Sequence, residues 1–499
     1  MLPFLLGHAT HPDWRMALAL SAAQIDAGLA AQRDEAPDEP AAAHLPTLGL
    51  VYFTDHYADA AEALLAELQQ RWPSASWVGS VGVGIAANGV EYFDQPALAL
   101  LLGKLPREQF RLFSGEQALP KPGGLPGRVP PAGSGVWAAL VHADGHATDL
   151  PELLTELAER TDSGYLFGGL ASSRGRTVTL ADAVYQGGVS GVAFTHEVGL
   201  VSRVSQGCAP VGPTRRITRS ERNLVLELDG RPALDCLVED LALDLGQPRQ
   251  AMSRLRTTLA GLADAGHDML ARRGQFGTDT RVRHLLGLDP TRRGVAIAEL
   301  VEPGQQLAFC QRDTDAARRD LMRICSEIRE ELSPAEEDAG TLLNLAGAGL
   351  PDWSTAWRGL GGARVVAPDT SASTAGTSGA PPAAAPGETA SADTPAGAGK
   401  QAAAPVHARA TLPDARVQAP HRPEDQVAAA IYISCAGRGG PHFGAPSAEL
   451  KIVQHALGDV PLIGFFAGGE IARHHLYGYT GVLTVLRTSP PDGDTRRAH

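Results

Sequence analysis

Hydrophobic and polar positions repeat in the same order at three places along the chain. Each place has an apolar run of strand type, a helical segment, a second apolar run broken by paired glycines, and a closing apolar run. The three units cover residues 48–103, 136–194 and 428–486. Because a strand, a helix and a glycine turn must be placed alike to bury one sheet face, this recurrence predicts a fold of duplicated modules.

The pattern predicts an α/β (mixed α+β) fold, in which duplicated β-α-β-β modules form mixed sheets flanked by helices. The strand that ends at Cys435 should lie inside its sheet, beside residues 461–466. Between the second and third units, RGVAIAELV (293–301) and QQLAFCQRD (305–313) indicate two strands paired across a Glu-Pro-Gly turn, and residues 313–332 indicate an amphipathic helix. The three glycine turns become equivalent places in the architecture, so a ligand site at one directs attention to the others.

One long segment has the composition of a disordered chain. From residue 366 to 425 the sequence is dominated by Ala, Pro, Ser, Thr and Gly, and no aromatic residue occurs between Trp357 and Tyr432. Such a chain cannot bury enough apolar surface to offset the entropy lost on ordering. Because few residues follow it, we interpret it as an insertion within a domain, where a long loop costs little extra closure entropy.

Charge and cysteine content narrow the functional classes. The formal net charge of −13 argues against a nucleic-acid partner or an anionic membrane surface, both of which favour clustered Lys and Arg. The five cysteines are widely spread and include no CxxC pair, which is typical of a reducing compartment. No run approaches the roughly 18 apolar residues that a spanning helix needs. We therefore expect a soluble, cytoplasmic protein without a membrane span.

Two separate stretches of the sequence resemble a known family. The strings SCAGRGGPHFG (434–444), PLIGFFAGGEI (461–471) and YGYTGVL (477–483) resemble the C-terminal half of the FIST domain. Residues 205–237 resemble the junction between the two halves of that domain. Together the two matches extend over most of the chain outside the 366–425 insertion. The chain departs from the family pattern after Glu470, where Arg473, His474 and His475 replace a longer glycine-rich loop.

The resemblance implies a sensory module of signal-transduction proteins that binds a small molecule, with amino acids proposed as ligands. It implies a FIST N-terminal half at 1–212 and a C-terminal half at 213–489. The second half would consist of a first part at 213–365, the 366–425 insertion and a second part at 426–489. A separate signalling protein would receive the signal, because no output segment is fused to the chain.

The first candidate binding group surrounds the turn after Cys435. Backbone amides of a glycine turn can form an anion-binding concavity, and Arg438 can hold a carboxylate through two parallel hydrogen bonds. Cys435 is either a reactive thiol beside this positive group or a small buried apolar residue. Arg438 is either a ligand-binding residue or a surface or ion-pair residue. Gly439 belongs to this turn.

The second candidate group is the Gly468-Gly469-Glu470 turn, in which Glu470 can accept a ligand ammonium opposite Arg438. The bland alternative is a tight turn with Glu470 bonded to backbone or to water. Phe443 and Phe465 are expected to rim the site. Secondary candidates are the residues of the equivalent turns: Ser80, Gly84, Gly168, Gly169 and Ser172.

Motifs for a cofactor, a metal or catalysis are missing from the sequence. The glycines at 79–84 are spaced G-x-x-G-x-G without the acidic residue of a dinucleotide site, and neither a P-loop nor an HExxH motif occurs. We therefore predict no cofactor, no metal and no catalytic residues. The leading hypothesis is a non-enzymatic sensor of an amino-acid-like ligand. The alternatives are an enzyme that uses Cys435 as nucleophile and a scaffold that acts through the insertion.

Overall fold

The structure, a computed structural model, describes residues 4–35, 37, 40, 45–119, 135–147, 149–244, 247–264, 270–272, 275–276, 280–332 and 426–488. The insertion predicted at 366–425 lies outside these residues. Seven α-helices occur in the described ranges: Trp14–Glu35, Ala61–Arg71, Leu150–Glu159, Ala233–Asp240, Pro248–Thr257, Thr314–Leu332 and Ala448–Leu457.

Three six-stranded mixed sheets share one layout. From one edge to the other, each has a flanking strand, the closing strand of a unit, the first strand of that unit, its second strand running parallel to the first, and a two-stranded hairpin. The first sheet contains, in order, Phe4–Thr10, Ala97–Gly103, Leu48–Thr54, Ser76–Gly82, Thr179–Ala181 and Val184–Tyr185. The second contains Phe110–Phe113, Val189–Phe194, Ala138–Asp144, Tyr165–Ala171, Glu470–Arg473 and His475–Tyr477. The third contains Gly199–Gln206, Thr480–Thr488, Gln426–Cys435, Leu462–Ala467, Gly84–Ala87 and Val90–Phe93.

The hairpin of each unit is donated to the sheet of another unit. The first unit sends Gly84–Ala87 to the third sheet, where it pairs with Leu462–Ala467. The third unit sends Glu470–Arg473 to the second sheet, and the second unit sends Thr179–Ala181 to the first. The exchange is cyclic, because each unit completes the sheet of another unit. The three units predicted from the repeated pattern are confirmed.

The second strand of every unit carries a glycine where it lies against the first strand. A Cβ atom on Gly79, Gly168 or Gly464 would lie 1.9, 2.0 or 1.7 Å from a carbonyl oxygen of the neighbouring parallel strand. No side chain fits at that distance. The glycines of the three repeats thus have one shared cause, the close approach of two parallel strands.

A fourth sheet is antiparallel and closes on itself. Its strands are, in order, Cys208–Pro210, Gln306–Arg312, Arg215–Glu221, Leu224–Leu228, Gly294–Ile297, Arg281–Asp289 and Thr258–Ala263. The last strand pairs with Gln306–Arg312, and the two-residue strand Arg231–Pro232 pairs with Leu224–Leu228. A further two-stranded pair consists of Leu270–Arg272 and Gln275–Phe276.

The direct pairing predicted between residues 293–301 and 305–313 was wrong. Gly294–Ile297 pairs with Arg281–Asp289 and Leu224–Leu228, whereas Gln306–Arg312 pairs with Thr258–Ala263. The Glu-Pro-Gly turn connects strands that lie apart in the ring. Because the ring is closed, Gly294–Ile297 has a neighbouring strand on each side, and no free edge is left for Gln306–Arg312 to join.

The third sheet packs against two helices through a buried apolar cluster. Thr314–Leu332, the amphipathic helix predicted from its spacing, contributes Leu321, Ile324 and Ile328, and Ala448–Leu457 contributes Leu450 and Val453. Gln426–Cys435 lies between Leu462–Ala467 and Thr480–Thr488, so its predicted interior position is confirmed. The boundaries of the two predicted halves stay a prediction.

Among the described residues, none of the helices has the length and apolar character that crossing a membrane requires.

Candidate functional site

The three glycine turns meet at one place in the structure. The Ser172 hydroxyl accepts a hydrogen bond from the Val83 amide at 3.0 Å and donates one to the Phe466 carbonyl. Leu170 accepts from the Gly468 amide at 3.0 Å, and its own amide donates to the Gly469 carbonyl at 2.8 Å. We call the turns 82–84, 168–172 and 466–469 together the turn junction. Each lies at the carboxyl end of a strand in a parallel pair, where α/β proteins commonly bind ligands.

Glu470 begins the hairpin that leaves this junction, and its side chain is fully buried. One carboxyl oxygen accepts hydrogen bonds from the Thr480 amide at 3.0 Å and from the Thr480 hydroxyl at 2.6 Å. The other oxygen, Oε1, accepts no hydrogen bond from an N–H or O–H group in the described part of the chain. Burial raises the pKa of Glu470 to about 8, although the Thr480 bonds, the charge of Arg438 and a hydrogen bond from the Cys435 thiol act in the opposite direction.

Cys435 lies beside Glu470 at the end of its strand and is only partly buried. Burial, and after it the Glu470 charge, raise the pKa of this thiol to about 12, against the amides of Gly437 and Tyr479 and the charge of Arg438. The thiol is therefore protonated at neutral pH, and this arrangement does not supply the thiolate that a cysteine nucleophile requires.

Arg438 lies on the other side of the same turn, with a side chain that is 1% exposed. Its guanidinium forms an ion pair with Glu449 at 2.6 Å and donates to the Ser205 carbonyl at 3.2 Å. Tyr432 and Ser434 donate to the same carboxylate at 2.6 and 3.0 Å. Burial alone would lower the pKa of Arg438, but the Glu449 charge outweighs it and the pKa is raised. Arg438 thus binds a carboxylate of the protein itself, where a ligand carboxylate was expected.

The predicted aromatic residues are not gathered on one rim. Phe443 lies under the Arg438 guanidinium, 5.1 Å from ring centroid to Cζ. Phe465 packs in the central core, 5.0 Å from the Tyr52 ring, whereas Phe466 packs 5.1 Å from the Phe93 ring. Each of the three phenylalanines at 443, 465 and 466 is buried.

The remaining candidates divide into buried and accessible positions. Ser80 and Gly84 are buried, and the Ser80 hydroxyl donates to the Val81 carbonyl. Gly468 is exposed and Ser172 is partly exposed. Gly439 lies against the Phe93 ring, and Gly169 pairs with Glu470 across the second sheet. The turn junction therefore reaches solvent at Gly468 and Ser172, and the partly buried Cys435 lies next to it, beside the buried Glu470.

Four residues of the site were missed by the sequence reasoning. Glu449 is in the first turn of its helix, a common place for a solvated acid. Thr480 and Tyr479 belong to the YGYTG string, which gave a signal, whereas Arg312 comes from the fourth sheet and gave none. Tyr479 has φ +62°, a left-handed conformation that is uncommon for an aromatic residue and often occurs at functional sites.

Within the described ranges, no group of three or more His, Cys, Asp or Glu side chains could hold a metal ion.

Comparison with known proteins matches the chain to two domain profiles and to uncharacterised mycobacterial relatives. The FIST N domain profile matches residues 47–231, and the FIST C domain profile matches residues 233–352 and 390–473. An uncharacterised protein of Mycobacterium tuberculosis H37Rv is 30% identical over 363 residues, which is 69% of this chain and 85% of the relative. An uncharacterised protein of Mycobacterium bovis is 25% identical over 502 residues, 96% of this chain and 98% of the relative.

Proposed function

The chain belongs to the FIST family, whose domains are associated with sensing in signal transduction, and we propose that it binds an amino-acid-like metabolite without transforming it. The observation that supports this most directly is Glu470. It is a buried carboxyl with one oxygen that accepts no N–H or O–H hydrogen bond, and it lies two residues from Gly468, where the turn junction reaches solvent, and beside the partly buried Cys435.

The Oε1 oxygen of Glu470 suits a ligand ammonium group. A buried acceptor without a partner costs about 1–3 kcal/mol, more when it is charged, and a bound ammonium would remove that cost. Binding would also draw the carboxyl into its ionised form, because a cation beside an acid lowers the pKa of that acid. A ligand with an amino group should therefore displace the proton from Glu470.

The proton displacement makes the proposal measurable. Because Glu470 has a pKa of about 8 in the free protein, most molecules carry the proton at pH 6 and must lose it to bind an ammonium. Affinity should rise about tenfold per pH unit from pH 6 towards 8 and then level off. Titration calorimetry of the full chain against the twenty standard amino acids, at pH 6, 7 and 8, measures this directly.

Glu470→Gln is the decisive variant, since it keeps the shape of the side chain and removes its charge. We expect it to abolish binding and its pH dependence. Thr179→Val is the matched control, because Thr179 is the equivalent hairpin residue at another turn and carries no charge. Binding that survives in Glu470→Gln would contradict the proposed site, and a panel without any binder would contradict the proposed ligand class.

Signal output would then pass to a separate protein in the cytoplasm. In this proposal the bound ligand changes the surface around the turn junction, which the partner recognises. Substrate turnover lost on alkylation of Cys435 would instead favour the enzyme alternative, whereas ligand protection of Cys435 without turnover favours the sensor.

A further inference from the structure

An arginine that meets no acid lies on the accessible side of the Cys435 turn. Arg312 ends a strand of the fourth sheet and its side chain is exposed. Its guanidinium donates to the Gly437 carbonyl, lies 3.3 Å from His442 Nδ1, and covers the Tyr479 ring at 5.3 Å from the centroid. No Asp or Glu among the described residues forms an ion pair with Arg312, in contrast to the buried pair of Arg438 and Glu449.

The surroundings of Arg312 leave its positive charge uncompensated. Burial and the nearby Arg312 and Arg438 charges lower the pKa of His442 to about 4, so this ring is neutral at physiological pH. The Gly437 carbonyl and the Tyr479 ring position the guanidinium without neutralising it. Since only one of its nitrogens takes part in these hydrogen bonds, other donors of the planar fork stay free for a carboxylate.

Two short segments of the chain, residues 435–437 and 479–480, each contact both Arg312 and Glu470. Gly437, which accepts from Arg312, follows Cys435 by two residues, and the Cys435 thiol lies beside Glu470. Tyr479, under the guanidinium, precedes Thr480, which donates twice to Glu470. The left-handed conformation of Tyr479 fixes how these two consecutive residues reach their different partners.

We propose that Arg312 binds the carboxylate of the ligand whose ammonium group is held by Glu470, so that the site selects free amino acids over simple amines. This inference rests on the proposed function and adds its specificity. In this proposal Arg312 binds the ligand carboxylate in place of Arg438, because the Arg438 guanidinium is already paired with Glu449. It also makes the ligand a bridge between Glu470 of the third unit and a strand of the fourth sheet.

The test compares three matched probes on the full chain at pH 8. These are the tightest-binding standard amino acid, the amine that lacks its carboxylate, and the acid that lacks its ammonium. In Arg312→Gln the amino acid should bind about ten- to a hundredfold more weakly, as expected for one lost charge-assisted contact, while the amine binds as in the wild type. Arg312→Lys should keep part of the affinity, since it keeps the charge and loses the planar fork.

Arg319→Gln serves as the control, because Arg319 is an exposed arginine of the neighbouring helix Thr314–Leu332 and should not alter binding of any probe. Equal weakening of amino acid and amine in Arg312→Gln would overturn the inference, since a general disturbance would then explain both. Unchanged amino-acid binding in Arg312→Gln, together with its loss in Glu470→Gln, would overturn the role of Arg312 and leave the proposed function standing. A wild-type protein that binds no amino acid would overturn both.

Discussion

Glu470 and Thr179 occupy equivalent places in two hairpins, yet only one of them is ionisable. Glu470 pairs with Gly169 in the second sheet, and Thr179 pairs with Ser80 in the first. Gly169 directly follows Gly168 and Ser80 directly follows Gly79, and these two glycines are equivalent in the repeat. Thr179 is buried and accepts a hydrogen bond from the Ser190 hydroxyl at 2.8 Å, which satisfies it. Glu470 is buried with one oxygen that accepts no N–H or O–H hydrogen bond. At the third such place, Ile85 pairs with Phe465 and is apolar.

The repeat thus supplies three similar backbone positions, and the side chains make only one of them a charged site. A buried carboxyl with an open oxygen is costly, so it persists where something compensates it, such as a ligand. The same reasoning explains why we expect one binding site in each chain.

The largest effect should come from the ion pair that the third unit buries. Arg438→Met leaves the Glu449 carboxylate buried without its cation, and breaking such a pair costs about 3–5 kcal/mol of unfolding free energy. Urea denaturation followed by circular dichroism measures the loss. Arg231→Met removes an exposed partner of Glu239 and should leave stability unchanged. Equal losses in the two variants would show that Arg438 is not held as described.

Glu470 should give the protein a pH-dependent stability that Thr179 does not give. Its folded pKa of about 8 lies above the ordinary value of 4.5, so the folded protein holds the proton more tightly. The stabilisation is complete below pH 4.5 and is lost as the pH rises through 8. Compared with Glu470→Gln, the wild type should therefore lose stability over this window, by at most about 1.4 kcal/mol per pH unit.

Denaturation curves of both proteins at pH 5, 6, 7 and 8 measure that difference. Thr179→Val should run parallel to the wild type across the same series. A constant offset between wild type and Glu470→Gln would mean that Glu470 ionises normally in the folded protein.

An intermediate effect is expected from methyl groups added to two turns of the junction. A Cβ atom on Gly169 would lie 2.7 Å from the Ala467 Cβ and 2.8 Å from an Ile433 methyl, whereas one on Gly468 would find no atom nearer than 3.8 Å. Gly169→Ala should therefore lower the unfolding free energy by about 1–3 kcal/mol through overpacking. Gly468→Ala should stay within about 0.5 kcal/mol of the wild type. Thermal and urea denaturation of the two variants measures the difference. Equal stability of Gly169→Ala and Gly468→Ala would refute the close approach of Gly169 to Ala467 and Ile433.

The smallest effect concerns the reactivity of Cys435. Because the Glu470 charge adds to the effect of burial on the thiol pKa, Glu470→Gln should speed alkylation by iodoacetamide at pH 8.5 a few-fold. Cys325 also has a pKa of about 12, raised by burial alone, and provides the internal control. Peptide mass spectrometry follows both thiols in one sample. Equal acceleration of the two cysteines would point to general loosening of the fold.

Much of the architecture follows from local pattern, because each unit repeats a strand, a helix and a glycine imposed by parallel packing. The interior position of the strand ending at Cys435 is of this kind. The destination of the hairpins is not, since nothing within Gly84–Ala87 indicates that it pairs with Leu462–Ala467 rather than with its own sheet. For the same reason, the ring closure of the fourth sheet was missed.

The location of the candidate site was predictable from the sequence, whereas the contact partners of its residues were less so. The turns containing Cys435, Gly468 and Ser172 lie where the repeat placed them. The partner of Arg438 could not be read from sequence, because Glu449 belongs to the polar start of a helix and only the tertiary structure turns it inward. Glu470 was selected from its motif, and its burial and raised pKa required the structure.

The cyclic exchange of hairpins also determines when the protein can fold during synthesis. The first sheet needs no residue beyond Tyr185, so it can form while the ribosome is still making the rest of the chain. The second sheet lacks Glu470–Arg473 until nearly the whole chain has been translated, and the Gly84–Ala87 hairpin has no sheet to join until then. Pairing across such sequence distances is slow and exposes unpaired strands to aggregation. A nascent chain therefore exposes two unpaired sheet edges until its last strands have been made. A chaperone that covers these edges during translation would speed folding more than it would change the stability of the folded protein.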